Sequence, residues 1–216
     1  MKKLGTALAL GMLLVTATRL STAEEGMWLP HQIGDLDLKA KGLRMSPEDI
    51  YREDGTGLMS AVVLFGGGGT GELVSSGGLI LTNQHIAFDA LQMESTKERD
   101  FLADGFVART REEEMPAKGY SIDVLLGYRE VTEEVLSAVR PGMSPREEHA
   151  AIDQRTKALV AETEREGQDT RARVVEMYSG NAYYLYRFKH ISDIRIVYAP
   201  PLCLGRYGGE IDNWVW

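Results

Sequence analysis

GGGGTGELVSSGGLILTNQH, residues 66–85, decides how this chain folds. Gly66, Gly68 and Gly71 fit the G-x-G-x-x-G spacing of a nucleotide-binding turn, and they follow an apolar run, Ala61 to Phe65. A phosphate site of that kind needs a strand, a glycine turn and then a helix, because the phosphate rests on the helix N-terminus. Here the glycines lead into Glu72-Leu73-Val74-Ser75-Ser76-Gly77-Gly78-Leu79-Ile80-Leu81. Two glycines and two serines interrupt any helix there, and the apolar and β-branched residues favour strands. No Gly-Lys-Ser/Thr follows, so a P-loop is excluded. The stretch reads instead as a hairpin whose second strand, Gly78 to Thr82, delivers Asn83-Gln84-His85. A histidine just past a strand end can be held rigidly enough to take a proton from a hydroxyl.

The flanking sequence extends this reading. Ser46-Pro47-Glu48-Asp49 starts a short helix, with a serine cap, a proline in the first turn and acids at the positive end. Leu58 to Phe65 is a predicted strand, and so are Glu72 to Val74 and Leu79 to Thr82, joined by the turn Ser75-Ser76-Gly77-Gly78. Thr96 to Phe106 is helical or looped. Ile122 to Tyr128 and Val131 read as extended. Ser144 to Glu166 is the clearest helix: Ser144 and Glu147 form a capping box, Pro145 occupies the first helical position and Gly167 stops it. Val174 to Tyr178, Tyr183 to Phe188 and Ile194 to Tyr198 are β-type runs, closed by Pro200-Pro201. Residues 205–216 form a glycine- and aromatic-rich loop. Many short strands and one prominent helix fit a mainly β fold, a barrel with a helical excursion, better than alternating βαβ units.

The chain has 216 residues, enough for one domain with a core. Its start reads as a leader rather than as fold. Lys2-Lys3 precede an apolar run, Leu4 to Val15, too short to span a bilayer, and Ser21-Thr22-Ala23 offers a cleavage site. A secretory signal peptide over residues 1–23 implies export, to the periplasm or beyond the cell, and leaves residues 24–216 as the mature segment. No later run is long and apolar enough for a membrane span. The formal charge of −8 becomes three charges more negative without the leader's Lys2, Lys3 and Arg19. So acidic a chain lacks the basic footprint of a nucleic-acid binder. No metal or cofactor motif is found. The single cysteine, Cys203, excludes an internal disulfide and is expected to be a small buried residue.

Leu79-Ile80-Leu81-Thr82-Asn83-Gln84-His85 resembles the segment that carries the catalytic base in chymotrypsin-like proteases. Further matches run in order along the chain: Glu25-Gly26-Met27-Trp28, Ser46-Pro47-Glu48-Asp49-Ile50-Tyr51, the glycine hairpin, and Ser95-Thr96 with Asp104-Gly105-Phe106. Gly180-Asn181-Ala182-Tyr183-Tyr184-Leu185, Ala199-Pro200-Pro201 and Asp212-Asn213-Trp214-Val215-Trp216 follow. Together they resemble the bacterial dipeptidyl-peptidase VII/XI family of exported serine exopeptidases. The resemblance implies a chymotrypsin-like double β-barrel, here mostly the first barrel and incomplete, with a helical domain. It implies oligopeptide substrates with a free N-terminus, release of dipeptides, and a homodimer in the full-length protein.

Residue by residue, the resemblance gives His85 the role of base, and gives Asn213 and Trp214 the pocket for the substrate's amino terminus. That pocket makes chemical sense. An α-ammonium needs an acceptor aimed at it, and an aromatic wall excludes a longer chain. The sequence departs from the family at Gln84, where a histidine is usual, and at Gly69 and Ile86, where paired cysteines are usual. The resemblance also puts the triad's aspartate and serine beyond residue 216, so the 216 residues alone are expected to be inactive and poorly folded, with an apolar barrel face left open. Two other readings are an HtrA-type periplasmic endopeptidase, which shares Thr82-Asn83-x-His85, and a non-catalytic, truncated peptide-binding remnant.

Overall fold

The computed structural model describes residues 28–52 and 55–205. In chain order, helix α1 (Pro47–Ile50) precedes strands β1 (Val62–Phe65), β2 (Thr70–Leu73) and β3 (Ile80–Thr82). Helices α2 (Gln84–Glu94) and α3 (Phe101–Asp104) follow, then β4 (Phe106–Val107), β5 (Met115–Pro116) and β6 (Ile122–Glu130). Next come α4 (Thr132–Leu136), α5 (Pro145–Glu164), β7 (Thr170–Met177) and β8 (Ala182–Ile191). The last are β9 (Arg195–Ile196), β10 (Tyr198–Ala199) and α6 (Leu202–Gly205).

The glycine stretch folds as antiparallel strands, not as a phosphate loop. Val63 pairs with Gly71, and Gly71 with Thr82. Gly68 and Gly69 close the first turn at φ +99°, a left-handed backbone that glycine adopts without a steric cost. Gly71 serves a different purpose. A Cβ there would lie 2.7 Å from the Leu81 carbonyl oxygen and 3.0 Å from the Phe65 ring. At the second turn the Ser75 hydroxyl accepts from the Leu79 N–H at 3.1 Å.

These strands join a six-stranded antiparallel sheet in the order β3-β2-β1-β6-β8-β7. A mainly β architecture with a helical excursion is therefore what forms. On one face, Tyr183 and Leu185 pack beneath α4 and α5 through Val131, Val135 and Leu159. Toward the hairpin, Val63, Phe65 and Ile122 form a second cluster, joined by Ile80, Ile86 and Tyr120. A third lies under α2 and α3, where Ala90, Leu91, Phe101 and Phe106 meet Met115 and Ile196. The opposite face of β6 and β8 carries an aromatic ladder. A bulge at Leu125/Gly127 shifts the side-chain phase so that Tyr128 stands opposite Tyr186, their rings stacked at 5.0 Å. The N-terminal segment crosses this ladder: His31 lies 5.6 Å from Tyr128, centroid to centroid, and its backbone N–H donates to the Tyr128 oxygen at 3.0 Å.

Four local expectations are corrected. Residues 58–61 form a 3-10 turn, not strand, because Gly57 turns left-handed and the Ser60 hydroxyl donates to its carbonyl at 2.7 Å. Val131 is not extended: its N–H bonds the Tyr183 carbonyl at 2.8 Å and it caps α4. The run Ile194 to Tyr198 is split, since β9 pairs with β5 and β10 with β4. Cys203 is exposed, because it lies in a single helical turn after Pro200-Pro201 with one side open to solvent. The long helix runs from Pro145 to Glu164 as its capping box dictates: Glu147 accepts from the Ser144 N–H at 2.8 Å and from its hydroxyl at 2.7 Å. No helix among the described residues is long and apolar enough to cross a membrane.

Candidate active site

Three elements set the position of His85. β3 ends at Thr82, whose hydroxyl donates back to the Thr70 carbonyl at 2.7 Å and pins the strand end to β2. Asn83 is extended, at φ −76° and ψ 150°, and occupies the N-cap of α2. The Ile86 N–H closes that turn on the Asn83 carbonyl at 3.1 Å. His85 is thus the second residue of α2, and it is exposed. Gln84 beside it is half-buried.

Ile86 points the other way, into the hairpin. A Cβ on Gly69 would fall 2.2 Å from its Cδ1 and 3.1 Å from its Cγ1, so this branched side chain fills the notch that the bare glycine leaves. The carbonyl of Ile86 accepts a second bond from outside the helix, from the Tyr120 hydroxyl at 2.7 Å. Burial pushes the Tyr120 phenol above its ordinary range.

Beside this turn lies an open hollow of about 670 Å³. Its floor is apolar, with Phe65, Leu73, Ile80, Ile122 and Ile194, and Thr82, Ile86 and Ala87 from either side of His85 contribute to its wall. Its rim is charged by Arg111, Glu114, Asp193 and Arg195. Asp193 and Arg195 form a two-pronged pair at 3.0 and 3.2 Å, and the guanidinium holds the Asp193 carboxyl below its usual range. A hollow like this takes apolar groups in its depth and polar groups at its mouth.

The structure brings together His85, Ile86 and Gly69, the second and third being the two positions that the family resemblance pairs. Asn213 and Trp214 lie outside the described residues. Two features were not read from the sequence. The first is α2 itself, signalled by Asn83 as a favoured cap and by the helix formers Ala87, Ala90, Leu91 and Met93 behind it. The second is His190, whose Nδ1 is 2.7 Å from Asp123 Oδ1 across β6 and β8. That pair depends on strand register, Asp123 opposite His190, which no local pattern reveals. No group of three metal-ligating side chains occurs among the described residues.

The peptidase S46 family model matches residues 23–216. Dipeptidyl-peptidase 7 of Phocaeicola vulgatus is 40% identical over 206 residues, covering 91% of this chain and 28% of the relative. The Asp/Glu-specific dipeptidyl-peptidase of Porphyromonas gingivalis is 35% identical over 208 residues, covering 92% and 29%. A crystal structure of Porphyromonas endodontalis DPP11 in complex with the dipeptide Arg-Glu superposes with a TM-score of 0.75 at 33% identity, over 89% of this chain and 29% of that one. The chain thus spans less than a third of the length of these relatives. A histidine-bearing turn at the edge of an antiparallel sheet, a matching fold and a match along nearly all its length lead to one assignment: the chain belongs to the peptidase S46 family.

Proposed function

We propose that this chain is the base-bearing part of an exported serine-type dipeptidyl-peptidase, which releases dipeptides from the free N-terminus of oligopeptides. The observation that carries the reading is His85, exposed at the first turn of α2 directly after β3, in a chain of this family. His85 takes the proton of the serine hydroxyl as that oxygen attacks the scissile carbonyl, and returns it to the leaving amine. The serine and the orienting aspartate belong, on this reading, to the remainder of the protein, whose relatives are more than three times as long. Asn213 offers its side-chain carbonyl to the substrate's ammonium, and Trp214 walls the pocket behind it. That closed end makes the enzyme count two residues from the N-terminus. Residues 1–23 act as the export signal, and the intact protein works as a homodimer in the periplasm or outside the cell, without nucleic acid or a membrane span.

The test is His85→Ala in the intact protein, assayed with a dipeptidyl arylamide bearing a free amino terminus. Release is expected to fall by roughly four orders of magnitude or more, with the fold intact. Undiminished turnover would remove His85 from the chemistry. A parallel assay with the N-acetylated substrate tests the pocket. The parent enzyme rejects it, and Asn213→Ala narrows the difference between the two substrates.

A further inference from the structure

We infer that Tyr120 is a positioning residue for His85, an inference that rests on the reading of His85 as the base. The ends of a helix are less restrained than its middle, because the first N–H groups and the last carbonyls have no partners within the helix. His85 sits in the first turn of α2. The Tyr120 hydroxyl reaches the carbonyl of the very next residue, Ile86, at 2.7 Å across a sequence separation of 34 residues. Tyr120 is itself well held. Its N–H bonds the Ala117 carbonyl at 3.0 Å, just before β6 begins. Its ring stands edge-on to Phe65, 79° between planes and 6.5 Å between centroids. It packs against both the hairpin cluster, which Ile86 joins, and the α2–α3 cluster, which Ala87 joins, so it bridges the two.

The bond therefore ties the turn carrying the base to the central sheet. The Ile86 carbonyl lies within α2 and has a second lone pair for its helical partner, so losing the phenol leaves no orphaned acceptor. What is lost is the restraint on the height and rotation of the turn. A base displaced by a fraction of an ångström from its hydroxyl partner slows the chemical step while substrate binding is untouched.

Tyr120→Phe removes one oxygen and keeps the ring on Phe65. In the intact protein we expect kcat for dipeptide release to fall roughly tenfold, with KM within about twofold of the parent and the melting midpoint nearly unchanged. Hydrogen exchange of the Ile86 and Ala87 amides is expected to quicken, while that of Val63 and Ile122 in the sheet stays as it was. An unchanged kcat overturns the inference. So does a variant too unstable to assay, or a loss of kcat that only tracks the folded fraction, since Tyr120 is then a packing residue. His85→Ala run alongside separates the two levels. If it stays active, the base assignment fails and the inference falls with it. If it is inactive while Tyr120→Phe is fully active, only the inference falls.

Discussion

Ile86 and Gly69 show how much one pair of positions can carry. From the sequence they are two departures from the family resemblance, at the two positions where it implies paired cysteines. In the structure they touch: Ile86 Cγ1 is 3.1 Å from where a Cβ on Gly69 would lie. The geometry of a disulfide separates a Cβ from the far sulfur by about 3 Å, so the site already has the spacing of a bridge. Here close packing holds the two segments together instead. The double variant Gly69→Cys/Ile86→Cys is expected to cross-link under mild oxidation. The closed loop is worth about 3 kcal/mol of unfolded-state entropy. A cysteine at φ +99° also costs roughly 1–2 kcal/mol for a left-handed backbone, but it does so in both redox states, so the cost cancels when the two are compared. The oxidised form should therefore melt a few degrees above its own reduced form, measured with and without reductant. A reduced and an oxidised form that melt together would show the spacing to be wrong. Cys203 marks the limit of reading residues one at a time. Its apolar neighbours suggest burial, but its exposure depends on which side of a single turn faces the protein.

Elements were legible where the sequence carries its own punctuation. α5 begins where Ser144, Pro145 and Glu147 say it must, and the hairpins follow their glycines. α2 was hidden because the chain passes from strand to helix with only Asn83 between them. The β7–β8 hairpin offers a clean test of turn chemistry. Tyr178, Ser179 and Gly180 turn left-handed in succession, at φ 52°, 57° and 84°. Glycine alone takes that conformation freely. Ser179→Gly is expected to stabilise the protein by about 1 kcal/mol. Gly180→Ala is expected to destabilise it by a similar amount, and purely through the backbone, since a Cβ there meets nothing closer than 3.6 Å. Urea midpoints of the two variants should move in opposite directions. If both fall, the Ser179 hydroxyl contributes more than its backbone costs.

At the scale of the whole molecule, the pairing of β1 with β6 and the bulge that brings Tyr128 over Tyr186 join segments far apart in sequence, and only tertiary packing fixes them. The runs Ile122 to Tyr128 and Tyr183 to Phe188 carry a strand pattern, but no local pattern shows them as a ladder with His31 and Tyr51 laid across it. That ladder makes the molecule sensitive to alkali. Burial raises the phenols of Tyr128, Tyr184 and Tyr186 above their ordinary range, and Tyr183 on the opposite face is raised for the same reason. In the unfolded chain each of these groups ionises near about pH 10. The folded protein holds those protons more tightly, so their contribution to stability is fully present below that pH. It is lost as the pH climbs through the raised values, because the unfolded chain then binds fewer protons than the native one. The melting midpoint should therefore drop beyond about pH 10, with tyrosinate absorbance appearing in the same step as the loss of circular dichroism. Tyr128→Phe removes one titrating group and the acceptor for the His31 N–H. It should cost about 1 kcal/mol near neutral pH and make the alkaline decline shallower. Phenols that ionise near their ordinary value while the fold persists would mean that water reaches the ladder, and that the N-terminal segment does not seal it.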